Sequence, residues 1–417
     1  MLLAAVATAA PPVRISLTDA ISRARQFSPQ LQAAVEASGL ALQDRVQAKS
    51  ALLPSASYLN QYVYTKGNGT SSGVFVANDG VHIYNSQGVV HQDFSVAKNL
   101  DYRRTEAALA LAKAREDVAA RGLVATVVQN YYAVAAAVRK AGNAGQSLEE
   151  ARQFLDITSK QERGGEVAHA DVVKASLLVR QRERDGEDAK LAASKARLML
   201  GVLLFADFQQ DFDVVDDLAE VPPLGPLADV QTQGALKNPD IRAAQAAVEQ
   251  EKFGVSSARS GYLPVVSLDL FYGIDANVFS IRGPNERKNL GFSAQGSLLI
   301  PLWNWGATRS RIEQASLRER QAKLELTAAQ KQLMANLQAF YMEAQAARSQ
   351  IESLGDSRDL AQESLRLTLL RYQAGEATAL EVSDAETTVA QGRNAYADGL
   401  ARYRLALAAM QTLTGAL

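Results

Sequence analysis

The sequence predicts a mainly α-helical chain with β-hairpins, a tandem-repeat α/β subunit of long coiled-coil helices and four amphipathic strands. Three observations carry that prediction. Matching stretches recur 210 positions apart, apolar residues step by four and three along two long segments, and two pairs of alternating segments each enclose a loop.

The repeat is anchored at four places. Pro29 in SPQLQAA returns as Pro239 in NPDIRAA, Leu53-Pro54 as Leu263-Pro264, Tyr131 as Tyr341, and Gly165-Glu166 as Gly375-Glu376, always at the same offset of 210. The organisation follows from it. Residues 1–10 are an Ala-rich apolar run with Ala7-Thr8-Ala9 where a signal peptidase would cut, which reads as the remnant of a signal peptide that lacks its basic start. Repeat 1 spans 13–203, with a helix of about thirty residues, a hairpin at about 54–100, and long helices reversing at about 163–167. An acidic, then Pro-rich, linker covers 204–230. Repeat 2 covers 231–417, with its hairpin at about 264–302 and its helix turn at about 373–378.

Each element has its own pattern. In the first strand of repeat 2, Val266, Leu268, Leu270, Tyr272 and Ile274 alternate with Ser267, Asp269, Gly273 and Asp275. Its return strand sets Leu290, Phe292, Ala294, Leu298, Ile300 and Leu302 against Gly291, Ser293, Gln295 and Ser297. In repeat 1, Val90, Phe94, Val96 and Leu100 alternate with His91, Asp93, Ser95 and Asn99, while SASYLNQYVYT is less regular and carries Tyr58, Tyr62 and Tyr64. The helices show a different period. Leu333, Leu337, Phe340, Ala344, Ala347, Ile351 and Leu354 form a seam that continues through Arg358 to Ala361, Leu365 and Thr368. Beyond Gly375, the residues Ala385, Val389, Gly392, Tyr396, Gly399, Tyr403, Ala406, Met410 and Leu413 keep that step. Thr308 to Gln373 would make a helix about 100 Å long, more than a compact globular domain needs.

Composition narrows the function classes. With 44 basic and 45 acidic residues and no basic stripe interleaved with aromatics, nucleic acid is not expected as a partner. The absence of cysteine excludes disulfides, thiol catalysis and a lipid-modified N-terminal Cys. His82, His91 and His169 stand apart without ligand spacing, so no metal site and no cofactor are expected. GNGTSSG at 67–73 lies between strands with no Lys or helix after it, and reads as a loop rather than a phosphate cradle. No nucleophile, base and orienter come together, so the chain does not read as an enzyme. Four strands cannot close a barrel, and open edges are not tolerated in lipid. Strands entering a membrane would have to be shared among chains, three of which supply twelve.

Over nearly its whole length the chain resembles the TolC-like outer-membrane efflux channel (outer membrane factor) family. The resemblance rests on the duplicated helix–hairpin–long-helix unit, on the Leu-Pro before each first strand, on IPLWNWGATRSRIEQA at 300–315, and on RYQAGEATALEVSDA at 371–385. Repeat 1 departs locally, since VAKNLDYRRTEAA lacks the Pro-Leu and Gly of the corresponding strand exit. The resemblance implies a homotrimer with four membrane strands per chain in a shared outer-membrane β-barrel, and a helical tunnel extending into the periplasm. It would serve tripartite efflux or type I secretion, exporting passively what an inner-membrane pump and a periplasmic adaptor (membrane fusion protein) deliver. The rival reading from the residues is a soluble periplasmic coiled-coil adaptor or structural protein.

The same resemblance assigns the candidate site residues. Glu381 and Asp384, three apart on one helix face, match paired aspartates of a periplasmic constriction, although the first is Glu here, and Asp171 is the repeat-1 counterpart of Glu381. Spacing alone favours the plainer reading, acids suited to a helix N-terminus or a solvated face, and only the resemblance reverses it. Arg371 and Tyr372 would hold the tip shut, against a plain reading as surface charge and packing. The turns at Arg163, Gly164, Gly165, Glu166 and Val167, and at Gly375, Glu376, Ala377 and Thr378, would dock the adaptor. Trp303 and Trp305 would anchor the chain at the outer-membrane lipid interface.

Overall fold

A computed structural model describes residues 13–65, 81–207, 210–283, 286 and 288–416. The candidate signal remnant and the loop at 67–73 lie outside these residues. The elements in chain order are β1 (Val13–Ile15), α1 (Leu17–Phe27), α2 (Pro29–Ser50), β2 (Ser55–Thr65), β3 (Val81–Phe94), α3 (Val96–Arg163) and α4 (His169–Leu204), followed by β4 (Phe212–Val214), α5 (Leu227–Lys237), α6 (Pro239–Ser260), β5 (Val265–Ala276), β6 (Leu290–Leu299), α7 (Ala307–Gln373) and α8 (Ala379–Thr414). The offset of 210 residues separates the starts of α1 and α5, α2 and α6, β2 and β5, and α4 and α8.

The chain divides into two compact units that cut across the repeats. One comprises Met1–Ala33, Glu116–Pro239 and Ala329–Leu417; the other comprises Ala34–Arg115 and Asp240–Ala328. Each draws on both repeats, because strands satisfy their backbone groups only against strands and helix seams close only against helices.

The second unit holds a four-stranded antiparallel sheet in the order β2-β3-β5-β6. Its registers, with Val90 opposite Leu270 and Leu270 opposite Ala294, gather Tyr58, Tyr62, Val90, Phe94, Val266, Leu268, Tyr272, Phe292 and Leu298 on one face. The opposite face carries Ser57, Gln87, His91, Asp93, Ser267, Asp269, Ser293, Gln295 and Ser297. The apolar face is left open, with Tyr272, Phe292 and Leu298 all exposed. β3 and β5 approach so closely at Gly273 that an added Cβ would fall 2.4 Å from the Gln87 Cα, so only glycine fits there.

Four expectations need correcting. The return strand of repeat 1 stops at Phe94, and Val96 and Leu100 belong to α3, whose Ala-rich sequence favours helix. β6 stops at Leu299, leaving Ile300 and Leu302 beyond the strand, because Pro301 has no N–H for the ladder. The opening helix of each repeat is two helices. Ser28 and Asn238, both extended, end the first of each pair, since a residue before proline is driven from helical geometry, and Pro29 and Pro239 start the second. The 204–230 segment is more than linker: it contains β4, parallel to β1, and the first residues of α5.

In the first unit, the largest core cluster packs Ile15, Tyr131, Tyr132, Leu200, Leu204, Phe205, Phe212 and Leu218. Tyr131 donates to the carbonyl of Val215 at 2.8 Å, and Arg139 and Arg197 pair with Asp216 and Asp213. Arg404 grips Asp217, so the acids of the segment after α4 are held by cations on α3, α4 and α8. On α7, Leu333, Leu337, Ala344, Ala347, Ala361 and Leu365 are buried as the seam requires.

Candidate functional site at the helix turns

The reversals α3→α4 and α7→α8 are built alike. After Arg163, the amide of Glu166 donates to Gln161 O at 2.9 Å and that of Gly165 to Glu162 O at 2.8 Å. After Gln373, Glu376 donates to Arg371 O at 2.8 Å and Gly375 to Tyr372 O at 3.0 Å. This paired capping satisfies the last helical carbonyls and demands a left-handed residue. Gly165 and Gly375 supply it, with φ of 78° and 77°. Gly164 precedes that residue, and Arg163 turns back to donate to Ser159 O at 3.1 Å. Val167 and Ala377 pack under the turns against Phe154, Ala175, Leu178 and Val382, while Glu166 and Glu376 are exposed.

Across the break, Thr378 caps α8. Its hydroxyl accepts from the Glu381 amide at 3.3 Å, and Glu381 Oε1 accepts from the Thr378 amide at 3.3 Å. This reciprocal box satisfies two otherwise orphaned donors. Arg371 spans the same turn, donating to Glu376 O at 3.0 Å, with its other terminal nitrogen 3.7 Å from Glu381. Glu381 is thus engaged within its own chain. Asp384, one turn on, is exposed, and its carboxylate has no hydrogen bond or ion pair among the described residues. Asp171 opens α4 without a side-chain cap at Ala168, and faces Lys174 at 3.5 Å.

Tyr372 is 2% exposed and makes its contacts inside the chain. Its ring meets Phe154 of α3 edge-on at 5.2 Å, and its hydroxyl donates to Thr158 at 3.3 Å. Burial pushes its phenol above the ordinary range, and the Asp171 carboxylate adds to the rise. Gln161, on α3, donates to the carbonyls of Tyr372 and Gln373, both at 3.4 Å, fastening the two turns together. His169 closes the first turn on Glu162 at 2.6 Å. Trp303 and Trp305 lie beyond β6, exposed and edge-on to each other at 5.7 Å, before Gly306 at φ 83°.

The sequence reading missed the capping box, whose signal is the spacing Thr378-x-x-Glu381. It also missed a buried polar layer behind it. Arg393 is 6% exposed and holds Glu150 of α3 through two hydrogen bonds of 2.9 and 2.8 Å. Arg182 of α4, equally buried, reaches Asp185 at 3.1 Å and Thr387 at 3.0 Å. Glu386, 3% exposed, finds no hydrogen-bond partner among the described residues for either carboxylate oxygen. Burial raises its pKa to about 7; Arg182 opposes the rise and Glu150 adds to it. The available signal was a second stripe on α8, Val382, Glu386, Val389, Arg393, Ala397 and Leu400, spaced by fours and threes while carrying charges. Among the described residues, no three His, Cys, Asp or Glu side chains are grouped to hold a metal.

Residues 233–416 match the family described as outer membrane efflux protein. Solved structures reproduce the fold along almost the whole chain. The outer-membrane channel OprN superposes with a TM-score of 0.83 at 18% identity, covering 96% of this chain and 89% of that one. VceC from Vibrio cholerae superposes at 0.84 and 17% identity, covering 96% of each. In its second repeat the chain resembles outer membrane efflux proteins, and nearly all of it takes the fold of these two structures.

Among curated relatives, Protein CyaE of Bordetella pertussis is 28% identical over 269 residues, 59% of this chain and 54% of that protein. Outer membrane protein OprJ of Pseudomonas aeruginosa is 23% identical over 316 residues, 73% and 64% of the two chains. The pyoverdine export outer membrane protein OpmQ of the same species is 25% identical, with coverages of 70% and 60%. The chain therefore spans between about half and two thirds of the length of these relatives.

Proposed function

We propose that three copies of this chain form an outer-membrane channel that extends into the periplasm and passively exports substrates delivered by an inner-membrane pump through a periplasmic adaptor. The observation that carries this reading is the sheet. Its apolar face is uncovered, and β2 and β6 each leave one edge unpaired among the described residues. A bilayer tolerates such a sheet only when it is closed, and three copies bring twelve strands, an even number within the range of membrane barrels. No helix among the described residues is long and apolar enough to cross a membrane; in this reading the strands do the crossing. In this reading the chain carries no catalytic chemistry of its own.

The helix turns then stand together at the periplasmic end. Asp384, with Asp171 and the cap-engaged Glu381, would present rings of carboxylates that favour cations at the constriction. Arg371, within the α7–α8 turn, and Tyr372, which ties α7 to α3, would keep that end closed. Arg163 to Val167 and Gly375 to Thr378 would offer the adaptor exposed backbone. Trp303 and Trp305 fit a lipid interface. The mass of the detergent-solubilised protein tests the assembly: three chains are expected, and a monomer that stays soluble without detergent would favour the rival coiled-coil adaptor.

A further inference from the structure

The polar face of the sheet contains one charged cluster that neither the turns nor the fold requires. His91 on β3 lies between two carboxylates. Its Nδ1 is 2.7 Å from Asp269 Oδ1 on β5, and its Nε2 is 3.1 Å from Asp93 Oδ1 on its own strand. Asp93 also accepts from Lys98 Nζ at 2.8 Å and from Ser267 Oγ at 2.6 Å. The remaining polar neighbours are Ser55 of β2, which donates to the His91 carbonyl at 3.4 Å, and Gln295 of β6, opposite Asp269 in the register.

An ionised carboxylate only accepts hydrogen bonds, and a neutral imidazole has only one N–H. Both ring nitrogens can satisfy both carboxylates only when the ring is doubly protonated. The cluster then holds two cations, His91 and Lys98, against two anions, Asp93 and Asp269. Loss of the His91 proton leaves it with one net negative charge.

We propose that His91 is a selectivity-determining residue of the channel lumen. This rests on the channel reading, in which the apolar face of the sheet meets lipid and the polar face lines the pore. His91 lies three residues from the end of β3 at Phe94, so the three copies would sit near the periplasmic end of the barrel. With the proton in place the ring of clusters is neutral; without it, three negative charges favour cations.

The test reads reversal potentials under a KCl gradient in planar bilayers, at about pH 6 and about pH 8.5. An Asp171→Asn, Glu381→Gln, Asp384→Asn parent silences the tip carboxylates, and detergent mass confirms that each variant assembles. The cation-over-anion permeability ratio of the parent is expected to rise about twofold between the two pH values. Adding His91→Asn should hold the ratio high at both, and His91→Asn with Asp269→Asn should return it to the low value at both. A pH step that survives His91→Asn, or a ratio at the lower pH that this change leaves alone, overturns the assignment. Carbethoxylation of His91, read by mass spectrometry against exposed His169, locates the proton independently. Slow modification near neutral pH is expected, and modification as fast as that of His169 would overturn the doubly protonated ring. Absence of any current, with His91 still slow to modify, would instead sink the channel reading and the lumen role built on it.

Discussion

At Gly165 and Gly375 the backbone takes φ values near 78° that an L-residue with a side chain adopts only under strain. Nothing lies within 4 Å of a Cβ built at either position, so the constraint is conformational rather than one of space. Gly375→Val should therefore cost about 1–2 kcal/mol locally, seen as a lowered melting temperature, and should leave the proposed trimer assembled. If the turn docks an adaptor, efflux by those trimers should be abolished, and normal efflux would leave the turn a helix reversal alone. The acids beyond it divide by their contacts. Glu381 closes the capping box and faces Arg371, so Glu381→Gln should mainly loosen the start of α8, by roughly 1 kcal/mol. Asp384 has no side-chain partner to lose among the described residues, so Asp384→Asn should leave stability nearly unchanged and, if the carboxylate lines the proposed pore, weaken divalent-cation block in bilayers. Equal currents from wild type and Asp384→Asn would remove this carboxylate from the pore.

At the scale of the element, α8 has two buried faces where a single seam was expected. The seam from Val389 to Met410 is buried through Gly399, Tyr403 and Ala406, as its 4-3 step predicts. The second face, with Glu386 and Arg393, packs toward α3 and α4 through the Glu150 and Arg182 contacts. Charges on that stripe disguise it in the sequence, because a buried ion pair and a solvated one read alike until the partner helix is in place. Glu386 has a measurable consequence. Its pKa is raised from an ordinary 4.5 to about 7, so the folded chain holds a proton that the unfolded chain releases. Its stabilising contribution is complete below pH 4.5 and is lost as pH rises through about 7. Glu386→Gln, which mimics the protonated form, should melt higher than wild type at alkaline pH, by on the order of 3 kcal/mol, and should match it at low pH. Parallel melting curves of the two proteins across that range would show that the carboxyl is not held neutral.

At the scale of the whole molecule, the absence of native cysteine makes single-cysteine labelling a clean probe of which face meets lipid. Leu268→Cys, on the apolar face, should resist a water-soluble thiol reagent in liposomes and react once the bilayer is dissolved. Ser293→Cys, on the polar face, should react in both; the reverse pattern would invert the sheet. Much of this architecture was legible beforehand. The 210-residue offset, the alternation in β5 and β6, the 4-3 step in α7 and the two turn glycines are local or periodic features, and periodicity survives in a one-dimensional record because it reflects the geometry of a single helix or strand. The breaks at Ser28-Pro29 and Asn238-Pro239 were missed, although they are local and proline chemistry alone accounts for them. Other features depended on residues far apart in the chain. The pairing of β3 with β5 joins the two repeats, places His91 of one beside Asp269 of the other, and settles which residues share each sheet face. Tertiary structure likewise turned Tyr372 inward onto Phe154 and Thr158, and buried Glu386 without a partner. Sequence determined the elements and their duplication, since those follow from backbone geometry and side-chain period. Only the packed chain decided which charges lose water and which meet a partner, because desolvation and pairing depend on neighbours that the order of residues does not name.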